Sequence, residues 1–352
     1  MQLPKIGLTM GDPSGVGPEI IAAAWPALGK LCRPLVLGHP GVMRRAVTLR
    51  HPDARVVEIT GVAEAEPSVL AVPCLKACHH DAADVPPRQI DPRGGQAAYD
   101  ALVCAIELAR RGEIDAITTA PLNKAALDRA GHHFPGHTEI LAERCGMNEF
   151  AMMLYLPPCD ALGGDAGLAA VHATLHTALA NVPRELSPAR IESVIRLSDS
   201  AMRRLQGGEP RIGVCALNPH AGEAGLFGNE EATLIRPAIR QALSGGINVV
   251  GPLPADTLMA RARDGEFDAV VCMYHDQGHI ALKLLGMHRA VNITLGLPIV
   301  RTSVAHGTAF DLAWQGVANE QSMIEAVRVA ARLATPEVNV PQRNLPPSVK
   351  GV

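Results

Sequence analysis

Short apolar segments alternate with amphipathic ones along most of the chain. KIGLTMG at 5–11, DAITTA at 115–120 and AVVCMY at 269–274 have the length of buried strands. Between such segments, residues 94–112 and 189–208 carry apolar side chains at helical spacing, and each stretch ends in glycine, as helices often do. Strands that alternate with helices predict an α/β protein with a mostly parallel sheet.

Polar sequences follow most of the predicted strands. In parallel α/β sheets, ligands collect beyond the C-terminal ends of the strands. We therefore expect several strand ends to meet at one active site, which makes the chain an enzyme. The six polar sequences are GDPSGVGPE, PLNKAAL, HATLH, HAGEAGLFGNEE, HDQGH and VRTSVAHGTAFD.

Composition narrows the class of protein. A chain of 352 residues with 47% hydrophobic and 19% charged side chains is globular and long enough for two domains. Its net charge of −3 provides no basic field for nucleic acid. The sequence contains no apolar run of membrane-spanning length and no signal-peptide pattern, so we expect a cytoplasmic protein without membrane contact.

The eight cysteines are scattered, and most lie in apolar patterns. For a cytoplasmic protein this predicts reduced, mostly buried thiols. The cluster CLKACHH at 74–80 does not have the spacing of a zinc site and reads as a variable loop.

Histidines at the strand ends could hold a metal ion. His176, His220 and His275 each follow a separate apolar strand, and neutral imidazole is a common ligand of zinc and related ions. Spacing alone does not select these three over other histidines near strand ends, namely His137, His172, His279 and His306.

The first glycine-rich turn, GDPSGVGPE, matches neither a phosphate-binding loop nor a dinucleotide fingerprint. It could be a strand-to-helix turn capped by Asp12 or Ser14. It could equally be an active-site lip that carries Asp12 and Glu19.

Basic residues follow several strands in segments that otherwise carry little charge. Lys124, Lys283 and Arg301 have this position, and the pair His137–Thr138 lies in FPGHTE. Such donors, combined with backbone N–H groups, bind phosphate or carboxylate. We therefore expect an anionic substrate.

Seven motifs together resemble the 4-hydroxythreonine-4-phosphate dehydrogenase family of vitamin B6 biosynthesis. The resemblance extends from about residue 5 to residue 330 and is weakest at 40–90 and at the insertion-like 157–167. The motifs are GDPSGVGPE, TAPLNKAALDRAG, FPGHTE, NPHAGEAGLFGNEE, GPLPADT, MYHDQGHIALK and VNITLGLPIVRTSVAHGTAFDLA.

The resemblance implies an architecture. It is a two-domain α/β/α subunit of the isocitrate and isopropylmalate dehydrogenase type, working as a homodimer with the active site at the interface. The implied division is a cofactor-side domain of residues 1–125 plus 300–335 and a metal, substrate and dimerisation domain of residues 126–299. Residues 336–352 are Pro-rich and aperiodic, which predicts a flexible tail.

The resemblance also implies site residues. A divalent metal would be held by His176, His220 and His275; three imidazoles suit zinc best, though magnesium, manganese or cobalt could serve. Asp276 and Gln277 are expected to orient a ligand or to face the cofactor. Asp256 and Lys283 are candidates for the catalytic base. The implied substrate-binding residues are His137, Thr138, Lys283, Asn292 and Arg301.

The segment HGTAFDLAWQGVAN resembles the adenosine-binding loop of isopropylmalate dehydrogenases. Its acidic position is Asp311, and a carboxylate there would accept hydrogen bonds from the ribose hydroxyls of NAD and repel the 2′-phosphate of NADP. The sequence therefore predicts NAD. The residues expected to bind it are His306, Gly307, Thr308, Asp311 and Asn319.

The expected reaction is oxidation of a hydroxyl by NAD, followed by decarboxylation, in a phosphorylated four-carbon hydroxy acid. The substrate is 4-hydroxythreonine 4-phosphate, or D-threonate or D-erythronate 4-phosphate, since HDQGHIALKLLG and the extra His172 are closer to a sugar-acid branch. A cis-dihydrodiol dicarboxylate dehydrogenase and a non-catalytic binding protein of this fold are the alternatives. His172, His279 and the insertion at 157–167 receive no role from the sequence.

Overall fold

A computed structural model describes residues 2–78 and 82–335, so the predicted tail lies outside the described residues. The described strands are β1 Lys5–Thr9, β2 Arg33–Gly38, β3 Arg55–Ile59, β4 Ala71–Lys76, β5 Ala116–Thr119, β6 Ala151–Leu156, β7 Leu168–His172, β8 Ile212–Cys215, β9 Val249–Leu253, β10 Ala269–Cys272, β11 Val291–Leu295 and β12 Arg301–Val304.

The α-helices of the same residues include several with clear end signals. The hydroxyl of Ser187 accepts a hydrogen bond from the Arg190 N–H at the start of α7, and Gly207, with φ of 70°, ends that helix. The helices are α1 Gly17–Leu28, α2 Pro40–Arg50, α3 Pro92–Arg110, α4 Lys124–Arg129, α5 His137–Cys145, α6 Val182–Glu185, α7 Pro188–Gln206, α8 Arg236–Ser244, α9 Ala255–Arg263, α10 His275–Gly286 and α11 Gln321–Ala334.

All the described strands join one sheet in the order β3-β4-β2-β1-β5-β12-β11-β6-β7-β10-β8-β9. Eight of the neighbouring pairs are parallel; only β12–β11, β11–β6 and β6–β7 are antiparallel. The α/β class and the mostly parallel sheet are therefore confirmed.

The three antiparallel pairs change where the strands end. They reverse the chain direction, so β7, β10, β8 and β9 run opposite to β1, β5 and β12. The C-terminal ends of the two groups consequently lie at opposite edges of the sheet. The six strand ends therefore do not share one edge, because the expectation assumed one strand direction throughout; residues that follow β5, β7, β10 and β12 nevertheless line one cleft.

Helices cover both faces of the sheet. Helices α1, α2, α7, α8 and α11 pack on one face, and α3, α5, α9 and α10 pack on the other. Strands from 1–125 and 301–304 form one half of the sheet, and strands from 151–295 form the other half, with the seam between β12 and β11. The division into two domains stays a prediction.

One predicted loop is a strand. Residues 71–76 form β4, which pairs with β2 and β3, and Cys74 is buried in it. The segment AVPCLK contains proline and a lysine, which obscured its strand pattern. Within 2–78 and 82–335, no helix is long and apolar enough to cross a membrane.

Candidate active site

A cleft opens over the middle of the sheet, where the helix layer has a gap between α5 and α10. Its floor is one face of the four adjacent central strands β5, β12, β11 and β6, and its walls are the start of α5, the start of α10 and the segment after β12. The floor side chains come from strands of both directions and include Thr119, Met152, Leu154, Asn292, Arg301 and Ser303.

A buried cation lies in the floor. Arg301 is only 2% exposed, and its Nη atoms donate to the hydroxyls of Thr294 at 3.1 Å and Thr119 at 2.6 Å. Burial lowers its pKa, while the carboxylate of Glu139 raises it. A guanidinium held by neutral hydroxyls keeps its charge available to an anion in the cleft.

The start of α5 faces the same cleft. His137 and Thr138 are its first two residues, so the backbone N–H groups of the first turn, which have no partner within the helix, lie beside them. Burial, together with the positive charge of Arg301, lowers the pKa of His137 well below its ordinary value. His137 is therefore neutral at pH 7, and the positive potential at this wall comes from the helix start, Arg301 and Lys124.

Three buried polar atoms of the cleft have no hydrogen-bond partner among the described residues. They are Oε2 of Glu139, Oδ1 of Asn292 and Nε of Arg301. Leaving such an atom unpaired costs about 1–3 kcal/mol. Their presence in one cleft indicates that a polar ligand satisfies them.

Two of the three expected metal ligands meet at the opposite wall. The rings of His176 and His275 are 5.8 Å apart between centroids. Nδ1 of His275 lies 2.7 Å from Oδ1 of Asp276, and Nδ1 of His176 lies 3.6 Å from Oε1 of Glu139. Each imidazole thus has a carboxylate beside it, as ligating histidines usually do.

The carboxylate beside His176 titrates below its ordinary range. Burial alone would raise the pKa of Glu139, but hydrogen bonding with His176 and a backbone N–H, together with the charges of His176 and Lys124, outweighs it, so the pKa is lowered. Glu139 is therefore ionised at pH 7.

His220 lies elsewhere. It is exposed on the segment Pro219–Gly225, where five consecutive residues, 220–224, have left-handed backbone angles. Its neighbouring aromatic ring is Phe227, and it does not line the cleft. Across 2–78 and 82–335, no group of three or more His, Cys, Asp or Glu residues is arranged to hold a metal ion. The chain therefore brings two of the three expected imidazoles together.

Two further histidines stand directly behind His275. His279 stacks on His275 with centroids 3.8 Å apart, and its Nδ1 lies 3.1 Å from Nε2 of His172. Burial lowers the pKa of His172 to about 4 and that of His279 to about 2. The sequence contained a signal for this group: His275, His279 and Lys283 repeat at four-residue spacing on α10.

The expected catalytic residues lie outside the cleft lining. Asp256 is exposed in the first turn of α9, and Lys283 is half-buried two turns beyond His275 on α10. Their roles stay predictions.

The expected cofactor loop begins in the cleft lining and then runs away from the cleft. His306 and Gly307 line the cleft, whereas Asp311 and Asn319 are exposed farther along. The side chain of His306 is held by the Gly307 carbonyl and the Ser322 hydroxyl, each at 2.9 Å. Burial lowers the pKa of His306.

The first glycine-rich turn anchors that loop. The buried carboxylate of Glu19 accepts hydrogen bonds from the backbone N–H groups of Gly316, at 2.8 Å, and Trp314. The Val16 N–H donates to the Thr308 carbonyl at 3.0 Å. Sequence reasoning missed this role of Glu19, because it depends on a partner almost 300 residues away.

Asp12 fits the interpretation of this segment as a capped strand-to-helix turn. Its Oδ1 accepts from the Ser14 N–H at 2.8 Å, as a turn cap does. Burial raises its pKa to about 6. Neither Asp12 nor Glu19 lines the cleft.

The fold and cleft define a class: an α/β protein with a cleft over the centre of a mixed sheet, lined by buried Arg301 and a histidine cluster. Within that class, residues 30–330 match the family model of the pyridoxal phosphate biosynthetic protein PdxA. The chain belongs to this family, so the resemblance seen in the sequence is confirmed.

Characterised relatives carry two different names. The chain is 43% identical over 341 residues to a D-threonate 4-phosphate dehydrogenase of Salmonella typhimurium, covering 95% of this chain and 100% of the relative. It is 45% identical over 337 residues to a 4-hydroxythreonine-4-phosphate dehydrogenase of Trichlorobacter lovleyi, covering 94% and 98%.

A solved structure is similar over the same length. The crystal structure of a 4-hydroxythreonine-4-phosphate dehydrogenase from Klebsiella pneumoniae superposes with a TM-score of 0.82 at 41% identity, covering 94% of this chain and 100% of that one. This chain therefore has the architecture of its family.

Proposed function

We propose that the protein is an NAD-dependent and divalent-metal-dependent dehydrogenase that oxidises, and then decarboxylates, a phosphorylated four-carbon hydroxy acid. The observation that carries the proposal is the cleft itself. It joins a buried guanidinium and a helix start, which suit an anion, to a pair of imidazoles across one sheet face. The names of the relatives fit such a substrate.

The anionic group of the substrate would bind between Arg301 and the start of α5. The unpaired Nε of Arg301 and the first N–H groups of α5 are donors, and neutral His137 and Thr138 can add further ones. Asn292, whose Oδ1 is unpaired, would accept a hydrogen bond from a substrate hydroxyl. Lys124 lies at the entrance and adds positive charge.

A divalent metal would be held by His176 and His275, with His220 the third ligand expected from the family resemblance. The described chain supplies only the first two at the cleft. Glu139 and Asp276 would fix the orientation of the two rings. When bound, such a metal stabilises negative charge on substrate oxygen.

NAD would lie along the loop after β12, with its adenosine end near Asp311. The exposed carboxylate of Asp311 can accept hydrogen bonds from ribose hydroxyls. His306 lies at the junction of this loop and the cleft.

A homodimer is part of the proposal. Helix α10, which begins with His275, exposes an apolar ridge that continues onto the residue after the helix: Ile280 is 59% exposed, Leu284 82% and Met287 49%. Apolar side chains in such a row are typical of a covered surface. A second copy on this ridge would close the histidine side of the cleft.

The proposed reaction is tested by NADH formation with purified protein. D-threonate 4-phosphate, D-erythronate 4-phosphate and 4-hydroxythreonine 4-phosphate are each supplied with NAD, with and without Zn²⁺, Mg²⁺, Mn²⁺ or Co²⁺, and after treatment with EDTA. We expect turnover of at least one phosphate, loss with EDTA and recovery with metal. No turnover of any phosphorylated acid in the presence of metal would contradict the proposal and favour a binding protein. Turnover of a cis-dihydrodiol dicarboxylate alone would favour that alternative.

A further inference from the structure

A second histidine pair, His279 on α10 and His172 at the end of β7, has hydrogen bonds that determine its tautomers. Nδ1 of His172 lies 3.1 Å from the carbonyl oxygen of Met152, and Nε2 of His172 lies 3.1 Å from Nδ1 of His279. His172 is fully buried, and His279 is 7% exposed and lines the cleft. The pair thus connects the centre of the sheet to the cleft wall.

The direction of each hydrogen bond follows from the first one. A carbonyl oxygen only accepts, so Nδ1 of His172 carries the hydrogen. A neutral imidazole carries one hydrogen, and that of the fully buried His172 is on Nδ1, so its Nε2 is an acceptor and Nδ1 of His279 donates to it. Nε2 of neutral His279 is then left with a lone pair and no hydrogen.

Packing leaves this arrangement little freedom. A Cβ atom at Gly278 would meet Nε2 of His172 at 3.0 Å and both Ala170 and Cys272 at 2.8 Å. The glycine lets α10 approach the sheet closely enough for His279 to reach His172. Stacking on His275 at 3.8 Å fixes the other side of the His279 ring.

We infer that His279 is a specificity-determining residue, whose Nε2 accepts a hydrogen bond from a hydroxyl of the substrate beside the proposed metal ligands. The inference rests on the proposed function and identifies its substrate class as a phosphorylated hydroxy acid rather than an amino acid. His172 is a positioning residue that acts through His279.

Two properties of the cleft favour a hydroxyl at this point. An acceptor without a hydrogen repels carboxylate and phosphate oxygens, so a substrate group that meets it is a hydrogen-bond donor. Among the described lining residues, Lys124 and Arg301 face a single carboxylate, that of Glu139. A substrate ammonium would add a third positive charge, whereas a hydroxyl adds none.

The test compares D-threonate 4-phosphate with 4-hydroxythreonine 4-phosphate as substrates. We expect wild-type kcat/KM to be higher for the hydroxy acid. His279→Leu should lower that value by about fivefold to tenfold, the weight of one neutral hydrogen bond, and change the amino-acid value much less. His279→Gln, which keeps an acceptor oxygen near the position of Nε2, should restore part of the ratio.

Two variants of His172 separate positioning from packing. His172→Gln keeps an acceptor toward Nδ1 of His279. His172→Leu removes that acceptor, so the hydrogen of His279 can then lie on either ring nitrogen. The ratio of the two kcat/KM values should fall in His172→Leu and be largely kept in His172→Gln. His133→Gln, at an exposed histidine away from the cleft, is the matched control and should not change it. Equal losses for both substrates in His279→Leu, without recovery in His279→Gln, would overturn the inference.

A second measurement does not depend on turnover. In protein labelled with ¹⁵N-histidine, the ring resonances that are absent from His279→Gln belong to His279. Their chemical shifts show which ring nitrogen of His279 carries the hydrogen. We expect an unprotonated Nε2 whose resonance moves on addition of D-threonate 4-phosphate and not of inorganic phosphate. A protonated Nε2 would overturn the inference even if the enzyme is active. A shift specific to the hydroxy acid in a protein that turns over neither substrate would support it while the proposed reaction fails.

Discussion

At the scale of single residues, the site depends on side chains whose surroundings change their ordinary chemistry. Among the described residues no carboxylate is hydrogen-bonded to the buried guanidinium of Arg301, and His137 is a neutral imidazole at a helix start. Both properties come from the residues around them. The residue types alone predicted an anion site, and the burial of Arg301 and His137 is what the structure adds to that prediction.

Replacing Arg301 with lysine keeps the charge but removes the planar group that reaches both threonines and the cleft. We expect kcat/KM for the phosphorylated acid to fall by about 10- to 100-fold, mostly through KM, since hydrogen bonds to charged groups contribute roughly 1.5–3 kcal/mol. Steady-state kinetics measure this. Arg240→Lys, at an exposed position on α8, serves as the control. An unchanged KM would show that Arg301 does not contact the substrate.

Replacing Asp311 with lysine should weaken NAD binding and admit NADP. The new charge would attract the 2′-phosphate that the carboxylate repels, so KM for NAD should rise by about tenfold or more and that for NADP should fall. Asp311→Asn, which removes only the charge, should give a smaller change. The assignment of this loop to adenosine fails if NAD kinetics are the same in all three proteins.

At the scale of elements, the first helix and the expected cofactor loop between β12 and α11 form one unit. Gly15 approaches the loop so closely that a Cβ atom there would meet Thr308 at 2.9 Å. Glu19 then fixes two backbone N–H groups of the loop, and Nη1 of Arg50 is 3.7 Å from its Oε1. The glycine-rich turn therefore holds the loop in place and does not line the cleft.

Glu19→Gln would test this coupling. An amide cannot accept both N–H groups in the same geometry, so one becomes unpaired, at a cost of about 1–3 kcal/mol in the free energy of unfolding. We expect this loss in urea denaturation, and a rise in KM for NAD that exceeds the rise for the substrate. Glu58→Gln, at a half-exposed surface ion pair, should show neither effect. A loss of stability with equal changes in both KM values would mean that the loop does not bind NAD.

At the scale of the whole molecule, the sheet reverses direction at its centre, and the cleft lies over that reversal. Strands from both halves contribute to its floor, so a ligand in the cleft contacts both. The apolar ridge on α10 lies at the outer side of the same region.

Placing a charge on that ridge should separate the proposed dimer. Leu284→Glu puts a carboxylate in the middle of the surface that a second copy would cover, so sedimentation velocity should show monomer in place of dimer. Leu243→Glu, at a 51% exposed leucine of α8, is the matched control and should stay a dimer. A wild-type protein that sediments as a monomer would contradict the dimer directly.

Most elements could be predicted from local sequence, because apolar periodicity and end signals such as Ser187 and Gly207 act within a few residues. β4 was missed, since its proline and lysine hide the strand pattern. The cleft residues His137, Thr138 and Arg301 could also be proposed as a site from the sequence, because they stand in distinctive motifs.

The sequence by itself determined the family, the α/β class and the chemical types of the site. Only the tertiary structure decided which strand ends meet, that His279 pairs with His172, and that Glu19 holds a loop almost 300 residues away. The physical reason is that strand direction and long-range hydrogen bonds depend on how distant segments pack. Local patterns, which reflect burial and backbone preference, carry no information about those partners.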